Sequence, residues 1–170
     1  MLEVAYLDQT GDLPRCDVTA LNGLCNDCVE SVLPELHPGV SLLGELTPDD
    51  PVVRTNLKRI EQVLLRLLRN AAKFTLSGHI TLTYDCLPAE RLLRFSVTDT
   101  GPGIPADLRE EVFGRFVKLD PFSQGTGLGL PICRLIAVKL GGGRLFVDPE
   151  YASGCRMIFE VPFDLPETSA

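Results

Sequence analysis

Two glycine-rich segments stand out in the second half of the sequence. Residues 99–104 read Asp-Thr-Gly-Pro-Gly-Ile, and residues 125–130 read Gly-Thr-Gly-Leu-Gly-Leu. A buried carboxylate such as Asp99 needs a hydrogen-bond donor, and the exocyclic amine of a purine is one. Glycines before a helix let backbone N–H groups converge on phosphate oxygens, which the helix dipole also favours. Each segment alone is a weak signal, and Asp-Thr-Gly-Pro-Gly by itself is more often an ordinary turn, so the prediction of a nucleotide site depends on the two occurring together.

Asp99 follows a segment with the alternation of a β-strand. Leu93, Phe95 and Val97 share one face, and continuing the period of two puts Asp99 on the same, inward face. The segment is the second half of a predicted hairpin, residues 79–87 and 91–98. The carboxylate is therefore expected to face the interior at the end of a strand.

A long helix is predicted over residues 57–74, with Asn56 as its N-cap. Its buried stripe consists of Leu57, Ile60, Leu64, Leu67, Leu68 and Ala71. Such a stripe predicts that the helix packs on the sheet and presents a neighbouring polar stripe beside it.

Arg66, Asn70 and Lys73 form that neighbouring stripe, at i, i+4 and i+7. Two interpretations are open. The three side chains could line one cleft, or they could belong to a solvated basic face, which Arg59 and Arg69 on the same helix favour.

The remaining elements complete an α+β pattern. Further helices are predicted over residues 20–32, capped by Thr19, over 106–114 and over 128–140; further strands are predicted at 15–18, 40–46, 52–55, up to 147 and at 155–161. The order predicts a two-layer α/β sandwich, in which helices pack on one face of a mixed, mostly antiparallel sheet.

The irregular stretch up to Gln124 contains Phe113, Phe116 and Phe122. A polar loop of this kind could be a lid, with aromatic residues at its hinges. Such aromatic residues are more often plain core anchors.

Composition excludes several classes of function. The formal net charge of −7 argues against a nucleic-acid surface. The sequence contains neither a run of about 18 apolar residues nor a secretory signal pattern. The six cysteines are expected to be reduced and mostly buried, and Cys25-Asn-Asp-Cys28 is interpreted as structural because no second such pair accompanies it.

Four segments, in order, resemble the ATP-binding catalytic domain of sensor histidine kinases, in the superfamily shared with DNA gyrase and related ATPases. Residues 62–75 (Gln-Val-Leu-Leu-Arg-Leu-Leu-Arg-Asn-Ala-Ala-Lys-Phe-Thr) resemble the N box, and 99–104 the first glycine box. Residues 113–116 (Phe-Gly-Arg-Phe) resemble the F box, and 125–130 the second glycine box. The resemblance covers roughly residues 18–162.

The resemblance implies specific roles. Asn70 would hold a magnesium ion that bridges the phosphates of ATP, Lys73 would contact phosphate, and Asp99 would accept a hydrogen bond from the adenine amine. Arg66 joins Asn70 and Lys73 as a catalytic candidate. The implied nucleotide-binding residues are Asp99, Gly101, Gly103, Ile104, Phe116, Gly125, Thr126, Gly127, Leu128 and Gly129.

By the same resemblance, the γ-phosphoryl group of ATP would pass to a histidine on a dimerisation domain, and then to a response regulator. Neither His37 nor His79 lies in the family's acceptor motif, so the acceptor is expected on a separate domain. The expected organisation is 1–14 as remnant of an upstream helix and linker, 15–163 as catalytic domain and 164–170 as tail. We expect a domain cut from a longer kinase rather than a stand-alone protein. The domain is expected in the cytoplasm, and its parent protein is either anchored in the inner membrane or not.

Two departures from the family pattern keep alternatives open. The position four before Asn70 is often Asn, His or Glu, and Arg66 cannot accept a proton there. Cys155 stands where the family often has Ser or Thr near the adenine, and a thiol is a weaker donor. A weak ATP/ADP-binding regulatory module and an anti-sigma-type serine kinase are therefore the alternative functions.

Overall fold

The computed structural model describes Leu7 and residues 11–114 and 129–166 of the chain. Residues 11–114 and 129–166 contain three α-helices: α1 (Asn22–Val32), α2 (Leu57–Phe74) and α3 (Gly129–Lys139). The strands are β1 (Asp17–Ala20), β2 (Ser41–Glu45), β3 (Val52–Thr55), β4 (His79–Leu87), β5 (Leu92–Asp99), β6 (Arg144–Val147) and β7 (Cys155–Pro162). No helix of this part of the chain has the length and apolarity that crossing a membrane requires.

The main sheet has five strands in the order β2-β4-β5-β7-β6. Only β2 runs parallel to its neighbour, and the other pairings are antiparallel. This confirms the predicted α+β sandwich with a mixed, mostly antiparallel sheet. The strand pairing also sets Asp99, the last residue of β5, directly opposite Cys155, the first residue of β7.

Helix α2 has the predicted bounds. The Asn56 side chain accepts a hydrogen bond from the Arg59 backbone N–H at 3.1 Å, which is the expected N-cap. At the other end, Nε2 of His37 donates to the Lys73 carbonyl at 3.0 Å. The apolar stripe is buried at Ile60, Leu64, Leu67, Leu68 and Ala71. The helix is therefore fixed at both ends while its polar residues stay near the surface.

The core lies between the helices and one face of the sheet. Phe95 is completely buried on β5, with its ring centroid 5.6 Å from that of Tyr84 and 5.8 Å from that of Phe159. None of the six cysteines forms a disulfide, and four of them are buried, as expected. Cys25 and Cys28 are buried in this core, and this burial raises the pKa of both thiols to about 12. They are structural residues.

The start of α1 differs from the prediction. Thr19 pairs with Val53 between β1 and β3, so it is part of a strand and cannot cap a helix. The helix begins at Asn22, whose backbone N–H donates to Oδ1 of Asp50 at 2.8 Å. The cap is thus supplied by a residue 28 positions away. The same pairing separates β3 from β2: the two strands that flank the 46–51 turn belong to different sheets.

The predicted helix over 106–114 is wrong. The segment instead forms two 3₁₀ turns, Ala106–Leu108 and Glu111–Phe113, closed by i→i+3 hydrogen bonds such as Phe113 N–H to the Glu110 carbonyl. A segment this short cannot sustain an isolated α-helix. Phe113 is buried, with Cζ of Arg134 at 4.4 Å from its ring centroid, so it is a core anchor.

Asp164, the first residue of the expected tail, is held to the domain. It forms a β-bridge with Arg54, and its carboxylate pairs with Nε of Arg15 at 3.0 Å. Arg15 also donates to the Leu140 carbonyl at the end of α3. These contacts fasten both ends of the described chain to the domain.

Candidate functional site

A pocket of about 380 Å³ opens between α2, the 101–105 turn and the adjacent ends of β5 and β7. Its wall is mostly apolar, with Asn70 and Asp99 contributing polar side chains and Cys155 a thiol. The apolar side chains include Leu67 and Phe74 from α2, Met157 from β7, Ile104 and Pro105 from the turn, and Leu130 from α3. A small apolar cavity with few polar groups is the usual form of a binding site for an organic molecule.

Asp99 is the buried acid of this pocket, with 7% of its surface exposed. Its Oδ1 accepts hydrogen bonds from the backbone N–H of Gly101 at 2.9 Å and of Cys155 at 3.3 Å. Oδ2 accepts none from residues 11–114 and 129–166. Burial raises the pKa of Asp99, and the two N–H donors partly oppose that rise. The carboxylate is held by one oxygen, which leaves the other for a donor in the pocket.

Two glycines let the backbone approach Asp99 closely. Gly103 has φ of +76°, and a Cβ there would lie 2.8 Å from the Gly154 carbonyl oxygen. Gly154 has φ of +149°, and a Cβ there would overlap the Asp99 carbonyl oxygen. Side chains at either position would push the 101–105 turn away from β7. Gly103 was a candidate from the sequence alone. Gly154 was not, because its importance depends on the pairing of β5 with β7.

Thr75 lies just behind this turn and was not singled out by the sequence. Its side chain is fully buried, and its Oγ1 has no hydrogen-bond partner within the described part of the protein. Oγ1 is 3.4 Å from the point that a Cβ on Gly101 would occupy, and Oδ1 of Asp99 is 3.1 Å from the same point. A hydroxyl residue directly after a helix gives no local sign of burial, so only the fold could identify it.

The three polar residues of α2 are placed differently. Asn70 is half-buried and lines the pocket, whereas Lys73 and Arg66 are exposed and do not line it. Lys73 Nζ lies 5.4 Å from the centroid of the Phe74 ring. The structure thus places one of the three in the cleft and leaves the other two at its edge.

Arg66 lies beside the beginning of α3. A Cβ on Gly129, the first residue of that helix, would be 2.9 Å from both Cδ and Nε of Arg66. The second glycine segment therefore ends next to the polar stripe of α2. Five candidates fall outside the described residues, and their roles stay predictions: Phe116, Gly125, Thr126, Gly127 and Leu128.

Cys155 lines the pocket opposite Asp99. Burial and, next, the negative charge of Asp99 raise the pKa of its thiol to about 12. The thiol therefore stays neutral at physiological pH, and its backbone N–H, not its sulfur, is the group that supports Asp99. The departure from Ser or Thr at this position leaves the backbone contact intact.

The sequence and the fold match proteins of known type. Residues 55–165 match the family of histidine kinase-, DNA gyrase B- and HSP90-like ATPases. The adaptive-response sensory kinase SasA of Parasynechococcus marenigrum (strain WH8102) is 40% identical over 131 residues, which cover 75% of this chain and 34% of that protein. The chain thus spans about a third of the length of this relative.

Solved structures of histidine kinases have a similar fold. Full-length ShkA in complex with AMPPNP has a TM-score of 0.84 and 30% identity, over 98% of this chain and 35% of that one. The histidine kinase ThkA in complex with the response regulator protein TrrA has a TM-score of 0.69 and 29% identity, over 86% of this chain and 41% of that one. This chain therefore belongs to the family of histidine kinase-, DNA gyrase B- and HSP90-like ATPases, and its relatives are sensor histidine kinases, whose catalytic ATP-binding module it matches.

Proposed function

We propose that this chain binds ATP in the pocket at Asp99 and transfers the γ-phosphoryl group to a histidine on a separate dimerisation domain. The observation that carries the proposal is the buried carboxylate with one oxygen unbonded by the described residues, at the end of an apolar pocket. An adenine ring has the complementary chemistry, because its faces are apolar and its amine donates hydrogen bonds. Full-length ShkA, a structural relative, is in complex with AMPPNP, which is an ATP analogue.

Asn70 is the proposed magnesium ligand. Its side chain is half-buried in the pocket wall, one helical turn from Phe74. Mg²⁺ keeps several waters and is usually bound by one or two protein oxygens together with the phosphates of the substrate, so a single amide oxygen fits it. The bound ion would supply neutralising charge to the phosphates.

The phosphates are proposed to extend from the pocket along the exposed edge of α2 toward the first turn of α3. Lys73 has a long, exposed side chain that could contact them, and Gly129 is at the positive end of the helix dipole of α3. The second glycine segment and Phe116 are proposed to cover them as a lid. Each of these groups binds or orients the nucleotide and none reacts covalently.

In the transfer step, an imidazole nitrogen forms a bond to the γ-phosphorus while the bond to the β–γ bridging oxygen breaks and ADP leaves. The acceptor histidine is proposed to belong to a dimerisation domain of the parent protein, and the phosphoryl group then passes to a response regulator in the cytoplasm. The complex of ThkA with TrrA supports such a partner.

A chimera tests the activity. This chain replaces the catalytic domain of the SasA relative, and the product is incubated with Mg²⁺ and ATP labelled at the γ-phosphate. We expect label on the acceptor histidine that is lost in acid and kept in alkali, with unmodified SasA as the positive control. The same chimera with Asn70→Ala should lose the label.

Calorimetry of the chain alone with AMPPNP, with and without magnesium, separates the alternatives. No binding at millimolar nucleotide would overturn the ATP site. Magnesium-dependent binding with an unlabelled chimera would instead indicate a nucleotide-binding regulatory module, the interpretation that the exposed Arg66 keeps open.

A further inference from the structure

Arg66 differs from the other arginines of α2. Nη1 of Arg59 donates to Oε1 of Gln62 at 2.8 Å, and Nε of Arg69 pairs with Oε2 of Glu35 at 3.1 Å. Among residues 11–114 and 129–166, no side chain pairs with the Arg66 guanidinium. It is a fixed positive charge without a protein counter-charge in the part of the chain that the structure describes.

The exposed Arg66 lies close to a second source of positive charge, the N-terminus of α3. The Arg66 side chain lies against Gly129 at the N-terminus of α3, where an added Cβ would be 2.9 Å from Cδ and Nε and 3.2 Å from Cζ. A helix N-terminus carries about half a positive charge, so the guanidinium and the helix end repel each other. An anion between them would be attracted by both. Asn70 lies one turn further along the same stripe of α2 and reaches the pocket, so that anion would be next to the nucleotide.

We propose that Arg66 binds a phosphate oxygen of the nucleotide directly, at the N-terminus of α3, and that this contact does not require magnesium. The inference rests on the proposed function, because the phosphate belongs to the nucleotide whose adenine contacts Asp99. Arginine is suited to this role since its guanidinium is always charged and presents paired N–H donors to two phosphate oxygens. It also cannot take a proton from water, so Arg66 is a specificity residue and not a general base.

The proposal separates two sources of phosphate affinity. Magnesium bound through Asn70 should strengthen nucleotide binding only when the ion is present. Arg66 should keep ADP favoured over adenosine even when a chelator removes all magnesium. If Arg66 only kept the helix surface solvated, it would contribute nothing to the preference for ADP over adenosine.

The test is calorimetric titration of the wild type, Arg66→Gln and Arg66→Lys with adenosine and with ADP in EDTA. Arg69→Gln is the matched control, since it removes a charge from the same helix away from α3. We expect Arg66→Gln to weaken ADP binding by about 10- to 100-fold and to leave adenosine binding within about twofold. Arg66→Lys should retain part of the preference for ADP, and Arg69→Gln should retain all of it.

The outcomes are distinct. If Arg66→Gln keeps the wild-type ratio of ADP to adenosine affinity, Arg66 is a solvated surface residue and the inference is wrong. If ADP and adenosine binding weaken equally, their ratio is also that of the wild type and the phosphate contact is refuted; the melting temperature then shows whether the common loss comes from the fold. If the wild type binds neither ligand, with or without magnesium, the proposed function itself fails.

Discussion

Replacing Asp99 by Asn changes one atom at the centre of the pocket. Oδ1 can remain a carbonyl oxygen that accepts from Gly101 and Cys155, so the backbone contacts at 2.9 and 3.3 Å can persist. The atom in the position of Oδ2 becomes an NH₂ group, which donates where the carboxylate accepted. The substitution therefore opposes the adenine amine without removing the support of the turn.

The expected loss of ATP affinity follows from the kind of hydrogen bond that is lost. A hydrogen bond to a charged group contributes about 1.5–3 kcal/mol, which corresponds to a loss of about 10- to 150-fold in ATP affinity. The free energy of unfolding, in contrast to the ATP affinity, should not fall. Burial raises the pKa of Asp99, so its stabilising contribution is full below the unfolded-state pKa and is lost as the pH rises through the folded-state value. Asp99→Asn should thus be at least as stable as the wild type at neutral pH.

The assay is a cycle of two proteins and two ligands. Wild type and Asp99→Asn are titrated with ATP and with inosine triphosphate, which has a carbonyl oxygen in place of the adenine amine. The wild type should prefer ATP, and the variant should lose or reverse that preference, because its amide can donate to the inosine oxygen. Urea unfolding at neutral pH checks the fold. If both ligands weaken by the same factor in a folded variant, Asp99 does not contact the amine and the reasoning is refuted.

Three further predictions concern the surroundings of the pocket. In urea unfolding, Gly154→Ala should lower the free energy of unfolding by about 1–3 kcal/mol more than Gly142→Ala. Both positions have positive φ, but only at Gly154 would the methyl group overlap the backbone of β5. Equal losses for the two variants would contradict this. Thr75→Val should stabilise the protein by about 1 kcal/mol in the same assay, since it removes a buried hydroxyl without a partner, and a loss of stability would show that the hydroxyl is bonded. Iodoacetamide at pH 8 should modify exposed Cys16 long before Cys155, whose pKa is raised to about 12, and peptide mass spectrometry showing equal labelling would refute the burial of Cys155.

Local patterns were sufficient for much of this fold. The apolar stripe of α2 and its Asn56 cap gave the bounds Leu57–Phe74, because helix period and capping involve residues within one or two turns. The alternation of β5 likewise placed Asp99 on the inward face, where it is found. Both conclusions needed only neighbours along the chain.

Other features followed from pairings that no local pattern encodes. Thr19 has the side chain of a helix cap, but its strand pairs with β3, and Asp50 supplies the cap instead. The predicted helix over 106–114 became two 3₁₀ turns, in which Val112 and Phe113 are buried side by side. In each case a tertiary contact outweighed a propensity of a few tenths to about 1 kcal/mol.

The candidate site shows the same division. The sequence by itself determined the types of group: a carboxylate at a strand end, a polar stripe on α2 and glycines before α3. Only the tertiary structure decided that Asn70 reaches the pocket while Arg66 lies at the start of α3, and that Cys155, 56 residues from Asp99, donates its N–H to that carboxylate. The physical reason is that residue type and periodicity act over a few residues, whereas the pocket forms where β5, β7 and α2 are brought together by burial of their apolar faces.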